Sequence, residues 1–357
     1  MKILAVNPGS TSTKIAVFDG GRALFEKNIP LSDAERGRFD TVLGQLDARC
    51  AAIEEALAAA AAAELRFDAV VGRGGLLAPI RSGTYAVNDA MKADLLSHAR
   101  GEHASNLGAF IAERFARISG CPAYIVDPVS VDELSPEARL SGAPEIERDS
   151  LVHALNQKAM ARKAAAALGK RYEECRFVVV HLGTGITMGA HKDGLITDVI
   201  GAKADGPFSA ERAGELPADQ LVELCFSGRY TLCELRKKLL SGWGLVAYLG
   251  TRDIREVFKM AETDERARLV LDAYVYQIAK GAGALAAALD GEIDAVILTG
   301  GMAHSRPLVE RITKKIKFLG RIMTLPGENE LESLAAGATR VLDGSERARN
   351  YPGGEYI

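Results

Sequence analysis

Three short segments hold most of the chemistry this sequence can offer. Residues 7–13, 182–187 and 299–305 are Gly/Ser/Thr turns, each following an apolar run. Small residues let a phosphate approach the backbone, whose N–H groups and hydroxyls then hydrogen-bond its oxygens. The third turn also opens a helical pattern, so the first N–H groups of that helix could face an anion or a ribose. One such turn is an ordinary hairpin. Three in one chain, with Lys14 beside the first, point to nucleotide binding.

Other catalytic templates are missing. No G-x-x-x-x-G-K-[ST] loop occurs, which disfavours a P-loop phosphotransferase. The run Gly281-Ala282-Gly283-Ala284-Leu285-Ala286 imitates a dinucleotide fingerprint, but that fingerprint belongs at a turn between a strand and a helix. Residues 269–289 read instead as one unbroken helix, so close helix packing is the expected use of these glycines. There is no G-x-S-x-G, none of the six histidines forms H-E-x-x-H, and no cysteine has a nucleophile's setting. His98 and His103 read as surface residues.

The turns need elements to hold them. Strands are expected at 2–6, 13–18, 23–29, 68–71, 123–126, 177–181, 186–191, 295–298 and 321–324, from short apolar, β-branched runs closed by turn residues. Helices are expected at 40–65, which includes the alanine tract 58–63, and at 88–97, 103–119, 219–225, 231–239, 252–260, 264–290, from about 305, and at 331–342. Another should run to 167 from a cap at Asp149 or Ser150. Residues 135–144, with Pro and Gly, read as a linker. LAVNPGSTSTKIAVFDG and VVVHLGTGITMGAHKDG share one order of features: apolar strand, small-residue turn, second strand, Asp-Gly turn. That suggests a duplicated α/β fold whose halves each supply one such loop.

Composition sets the outer bounds. A length of 357 residues suggests two domains at roughly 150 residues each. The 48% hydrophobic and 25% charged fractions are those of a globular protein. A net charge of −3 gives no basic footprint for nucleic acid. Five scattered cysteines argue against a disulfide framework or structural zinc. The first apolar run is too short for a signal peptide, and no stretch is long enough to span a bilayer, so a cytoplasmic protein without membrane or nucleic-acid partners is expected.

The opening MKILAVNPGSTSTKIAVFDG, the central VVVHLGTGITMGAHKDG, AVILTGGMAHS and the closing ENELESLAAGA together resemble the acetate and butyrate kinase family. That family belongs with the sugar kinases, actin and the heat-shock ATPases. The resemblance covers essentially the whole chain in order. Its shorter length and the segment 206–214, GPFSAERAG, look more like butyrate kinase than acetate kinase. It implies two actin-like, ribonuclease H-like domains with the active site in the cleft between them. The expected division is 1–148 joined by the C-terminal segment 330–357, and 149–329.

Site residues follow from the same resemblance. Asn7, Ser10, Ser12 and Lys14 match the family's opening phosphate-transfer residues, and Gly183, Thr184, Gly185, Gly300 and Gly301 its other nucleotide loops. Asp127 implies a magnesium role. His153 and His181 match its two histidines, and Arg212 its transition-state arginine. Arg73 is the candidate second arginine, although it stands where the acetate-kinase pattern has a histidine. Glu330 matches the acidic residue near the metal, with Glu328 and Glu332 left as alternatives. The implied cofactors are ATP/ADP and Mg2+, the implied partner is a small carboxylic acid, and a homo-oligomer is expected.

The chemistry selects similar residues. A carboxylate is already an anionic nucleophile at neutral pH, so no strong base is required. The task is to bring it against a polyanionic phosphoryl group, using positioning and fixed cations. Two other classes stay open: a nucleotide-driven interaction protein of the heat-shock type, and a sugar kinase using Asp127 as base. Leu76, Leu77 and Phe208 are candidates for an apolar wall around the acyl chain, with ordinary core packing as the alternative.

Overall fold

The computed structural model describes residues 1–60, 66–201 and 205–352. The end of the expected helix 40–65, half of the alanine tract, and the tail from 353 lie outside the described residues. The chain forms two compact units, Met1–Asp132 with Asn329–Ile357, and Glu133–Glu328. None of the described helices is long and apolar enough to cross a membrane.

In the first unit, β1 (Lys2–Pro8), β2 (Ser12–Asp19) and β3 (Arg22–Pro30) form an antiparallel meander. Beyond β1 lie β4 (Ala69–Arg73), β5 (Thr84–Ala86) and β6 (Ala123–Val126), giving the order β5-β6-β4-β1-β2-β3, with the strand Arg349–Asn350 beside β5. Strands β1, β4 and β6 run parallel. Side chains alternate along a strand, so Leu4 and Val6 face one side and Ile3, Ala5 and Asn7 the other. The first side packs on the helices Leu46–Ala59 and Leu107–Ser119 through Ile53, Leu57, Ile111 and Phe115. The helix Glu330–Leu342 packs on β1, β4 and β6.

The second unit repeats the plan. Its strands are β7 (Phe177–Leu182), β8 (Ile186–Lys192), β9 (Leu195–Ile200), β10 (Ala295–Gly300) and β11 (Ile322–Pro326), in the order β11-β10-β7-β8-β9. That is the order β6-β4-β1-β2-β3 again, with the same parallel and antiparallel pairings. Even the register shifts correspond within one position of the repeat, at Val17/Phe18 and at Ala190/His191. Val178, Val180 and Leu182 face the helices Ile254–Thr263, Glu265–Ala287 and Arg306–Ile316. Phe177 and Val179 face the helix Ala154–Ala167. By the same alternation His181 points to that helix too.

Several expectations shift. The helix expected from residue 149 or 150 begins at Ala154, with His153 as the capping position and Ser150 buried before it. The supposed linker contains a short helix, Pro136–Arg139, capped by the Ser135 hydroxyl. Residues 133–148, read as part of the first domain, group with the second unit. Ser135 N–H donates to the Thr197 carbonyl, Arg148 pairs with Asp198 at 2.9 Å, and Lys158 pairs with Glu133 at 2.7 Å in a fully dry setting. Strands β5 and β9 went unread because each is short or follows a tight turn. The glycine-rich run at 281–286 lies inside the long helix, where a methyl on Gly281 would come within 2.9 Å of the Met188 sulfur.

Candidate active site

In the first unit, three polar side chains meet at the carboxyl ends of β1 and β4. Parallel pairing sets Val6 beside Gly72, so Asn7 and Arg73 are next neighbours at the strand ends. Asn7 is 4% exposed and donates its amide to Glu330, the first residue of its helix. Arg73 Nη1 lies 2.8 Å from the other Glu330 oxygen and donates to Asn7 Oδ1 at 3.4 Å. The Glu330 carboxylate thus joins this group through both of its oxygens. The strand end that carries Arg73 packs closely on the helix Leu107–Ser119: a methyl on Gly72 would lie 2.5 Å from the Gly108 carbonyl carbon.

The first turn is closed by Gly9 N–H donating to the Ser12 carbonyl at 2.8 Å. Ser10 is exposed on it, Ser12 is half-buried, and Lys14 stands opposite Asn7 in the β1–β2 register. Beneath lies a cation the sequence reading missed. Arg49, 3% exposed, donates to the carbonyls of Ser12 and Gly9, to the Thr13 hydroxyl and to Gln45. Burial lowers its pKa from the ordinary value, and its donors stiffen the turn. Nothing marks Arg49 in sequence, since it sits in a helix among alanines. Asp127 closes β6, two strands from β1, with φ at +37°. It is 2% exposed, and its Oδ1 accepts the Gly83 N–H at 2.7 Å.

In the second unit the turn after β7 is gripped at both glycines. A methyl on Gly183 would come within 3.1 Å of His181 Nε2, and one on Gly185 within 2.7 Å of the Arg212 guanidinium carbon. His181 and Arg212 therefore flank one three-residue turn. The Ser209 hydroxyl ties them together by donating to the Thr184 carbonyl at 2.6 Å while the Arg212 N–H donates to it at 3.2 Å. Desolvation lowers the Arg212 pKa from its ordinary value, yet a guanidinium keeps its charge. Its field is accordingly poorly screened.

The two histidines are stacked, with ring centroids 3.9 Å apart and planes 13° from parallel. His181 Nδ1 meets Asn156 Oδ1 at 2.7 Å, and the Asn156 amide donates to the carbonyls of Gly327 and Glu328. Asn156 was missed, although its place three residues after His153 sets both on one helix face. At the third turn Gly300 takes φ of +88°, where a side chain would strike Leu182. Gly301 opens onto a cavity of about 600 Å³ lined by Met302, Ser305, Ile254, Arg255 and Phe258.

The proposed acyl wall fares differently. Leu77 is 1% exposed and packs with Ile80, Tyr85, Met91 and Leu95, so it is core. Phe208 packs against Tyr248 and Tyr274 at the edge of the second unit's core and also lines a cavity of about 930 Å³ with Leu216, Leu221 and Trp243. Leu76 is half-buried.

Solved structures share this architecture. Acetate kinase from Porphyromonas gingivalis aligns over 96% of this chain and 99% of its own, with a TM-score of 0.78 at 18% identity. Acetate kinase from Entamoeba histolytica gives 0.76 at 16% identity, over 95% and 99%. A propionate kinase from Francisella tularensis subsp. tularensis SCHU S4 gives 0.73 at 18% identity, over 93% and 98%. At such identities these similarities establish the fold alone. Residues 148–342 match the family model described as the acetokinase family, which is more than half of the chain, and the chain belongs to that family.

Proposed function

We propose that the chain transfers the γ-phosphoryl group of ATP to the carboxylate of a butyrate-sized acid, reversibly, giving an acyl phosphate and ADP. Membership in the acetokinase family makes it an ATP-dependent phosphotransferase with a carboxylate acceptor. The observation that best supports the mechanism is the Arg212 guanidinium lying over Gly185 in a turn that His181 borders at Gly183. A desolvated, fixed cation beside a small-residue turn suits the charge that develops on the equatorial phosphoryl oxygens. In this reading Arg73, Lys14 and the Ser10 and Ser12 hydroxyls offset the anionic charge of the two substrates. His153 and His181 donate to the transferring group. Gly300 and Gly301 take the nucleotide, with the adjoining cavity sized for a base and ribose.

Mg2+ fits the donors available. Glu330 and Asp127 offer hard carboxylate oxygens and Asn7 an amide oxygen. Among the described residues no group of three or more His, Cys, Asp or Glu gathers as a cage. Mg2+ ordinarily takes one or two carboxylates with phosphates and water, so no cage is needed. Bound there, the ion would neutralise phosphate charge, and Glu330 would hold it while orienting Arg73.

The chain-length assignment rests on the resemblance of segment 206–214, because Leu77 is a core residue and Phe208, though it lines a cavity, packs on Tyr248 and Tyr274. Its test is acyl hydroxamate formed from ATP with acetate, propionate, butyrate, isobutyrate and valerate. Each methylene buried contributes about 0.8 kcal/mol, so butyrate, with two more than acetate, should exceed it in kcat/KM by about one order of magnitude. Equal or better use of acetate or propionate would discard the butyrate assignment and keep the transfer chemistry. Activity only with sugars or glycerol would discard both. Homo-oligomer formation belongs to the same reading, since Phe226, Leu269 and Leu232 are exposed at 87%, 70% and 67%. Light scattering of the purified chain checks it.

A further inference from the structure

Behind the stacked histidines of the second unit runs a dry chain of hydrogen bonds whose direction can be worked out atom by atom. Gln157 is fully buried, as is His191, and Thr187 is 1% exposed. Gln157 Nε2 donates to Thr187 Oγ1 at 3.1 Å, so its Oε1 faces His191 Nε2 at 3.2 Å. An amide oxygen carries no proton, so His191 Nε2 must supply one. Burial, with Lys158 and Arg162 nearby, holds the His191 pKa well below the ordinary value and keeps the ring neutral. A neutral imidazole has one donor and one acceptor. Its Nδ1 therefore accepts, and the Tyr172 hydroxyl at 2.7 Å donates to it.

Counting at Thr187 continues the chain. Its oxygen already faces the Gln157 amide and the His153 backbone N–H, at 3.1 and 3.4 Å, and a hydroxyl has two lone pairs. A third donor would exceed them and leave the hydroxyl proton idle. The contact of 2.8 Å between Thr187 Oγ1 and His153 Nδ1 is therefore made by the hydroxyl donating to the ring. The same reasoning gives His181 the opposite tautomer: the Asn156 amide hydrogens go to two carbonyls, and its oxygen, which also accepts from the Thr299 hydroxyl at 3.3 Å, has no proton to give, so His181 Nδ1 donates to it.

We infer that Tyr172, His191, Gln157 and Thr187 are positioning residues that lock neutral His153 with its proton on Nε2, the atom that would donate to the transferring phosphoryl group, whereas His181 donates from Nε2 only when charged. The first part concerns the ring alone. The second rests on the function proposed above.

The tautomer is read directly by nitrogen-15 NMR of the full chain labelled at histidine, at a pH where the rings are neutral, with His153 assigned by its loss in His153→Asn. The expected spectrum shows His153 protonated at Nε2 and His181 at Nδ1. Thr187→Val removes the hydroxyl at nearly constant shape and should release His153 into a mixture of tautomers. Thr187→Ser should restore the lock. Gln157→Glu turns the donor to Thr187 into an acceptor and should drive the His153 proton to Nδ1. In turnover, Thr187→Val should lower kcat about tenfold with little change in KM for ATP, the low end of the cost of losing an orienting partner. Wild-type protein with His153 protonated at Nδ1, or a Thr187→Val spectrum identical to wild type, would overturn the inference. Because the wild-type spectrum needs no catalysis, a chain that formed no acyl phosphate would fail the functional reading while leaving this one to stand on its signals.

Discussion

The two sheets share a strand order, yet their first strands end in different chemistry. Asn7 at the end of β1 and His181 at the end of β7 occupy matching positions of the repeat. Each reaches toward a helix on the same face of its sheet. Asn7 meets Glu330, which also binds Arg73, and those two charged side chains keep 15% and 21% of their surface. His181 meets the neutral amide of Asn156, and both are 3% exposed. Duplication thus preserved the scaffold position and changed the medium around it. The end of β1 presents an ion pair that water can still screen. The end of β7 presents a dry, directional pair of neutral groups, with the half-buried Arg212 guanidinium beyond the adjoining turn. Ion pairs of the first kind weaken with salt, whereas buried networks of the second depend on each atom being satisfied.

The largest effect should come from the guanidinium beside the turn after β7. Arg212→Ala is expected to lower kcat and kcat/KM together by about 10³-fold or more, as loss of a transition-state arginine does. ATP binding should change far less. Arg212→Lys should recover little, because an ammonium lacks the planar fork. A kcat for Arg212→Ala within about threefold of the parent would remove this residue from the transfer step.

Glu330→Gln comes next and tests the wetter group. It leaves Arg73 without its carboxylate partner at 2.8 Å and removes one candidate magnesium donor. A loss of about 10–100-fold in activity is expected, with a higher requirement for Mg2+ in titrations of rate against metal. An unchanged magnesium requirement would leave Glu330 as a partner of Arg73 and Asn7 with no role at the metal.

Smaller still is the contrast between two glycines. Gly185→Ala would press on the Arg212 guanidinium from 2.7 Å and should lower kcat. A methyl on Gly301 meets nothing within 4 Å, so Gly301→Ala should fold normally and raise KM for ATP if the nucleotide lies there. Steady-state kinetics in ATP separates the two. An unchanged KM in Gly301→Ala would move the nucleotide away from the third turn.

The least effect concerns stability. His191 is buried neutral with a lowered pKa, so below about pH 6.5 the unfolded chain binds a proton that the folded chain refuses. Stability present at neutral pH should therefore decline as pH falls through that range, by at most about 1.4 kcal/mol per pH unit from this group. Urea unfolding at pH 7.5 and 5.5 should show the decline, and His191→Gln should flatten it. A parallel decline in the variant would assign the acid sensitivity elsewhere.

Much of this was readable from sequence where local pattern and tertiary role coincide. The repeated strand-turn-strand feature carries its own periodicity, and the structure turns it into two sheets of one order. The three turns and the helix that hides the false dinucleotide motif were legible for the same reason. What escaped depends on packing. A buried Arg49 beneath the first turn looks in sequence like any helical arginine, and Leu77 looks as fit for a pocket as for a core. Asn156, Gln157 and Thr187 are ordinary polar residues until the fold sets them against histidines. The boundary near 148 was misplaced because residues 135–144 have a linker's composition, while Arg148 and Glu133 anchor the segment by long-range ion pairs.

The proposed activity depends on where the phosphoryl group goes. Phosphorus NMR of the purified chain with ATP, Mg2+ and butyrate follows every phosphorus-containing product at once. The predicted result is an acyl phosphate signal rising in step with ADP, lost on adding hydroxylamine and absent with Arg212→Ala. ADP accompanied only by inorganic phosphate, or a phosphate ester formed only when a sugar is supplied, would contradict it.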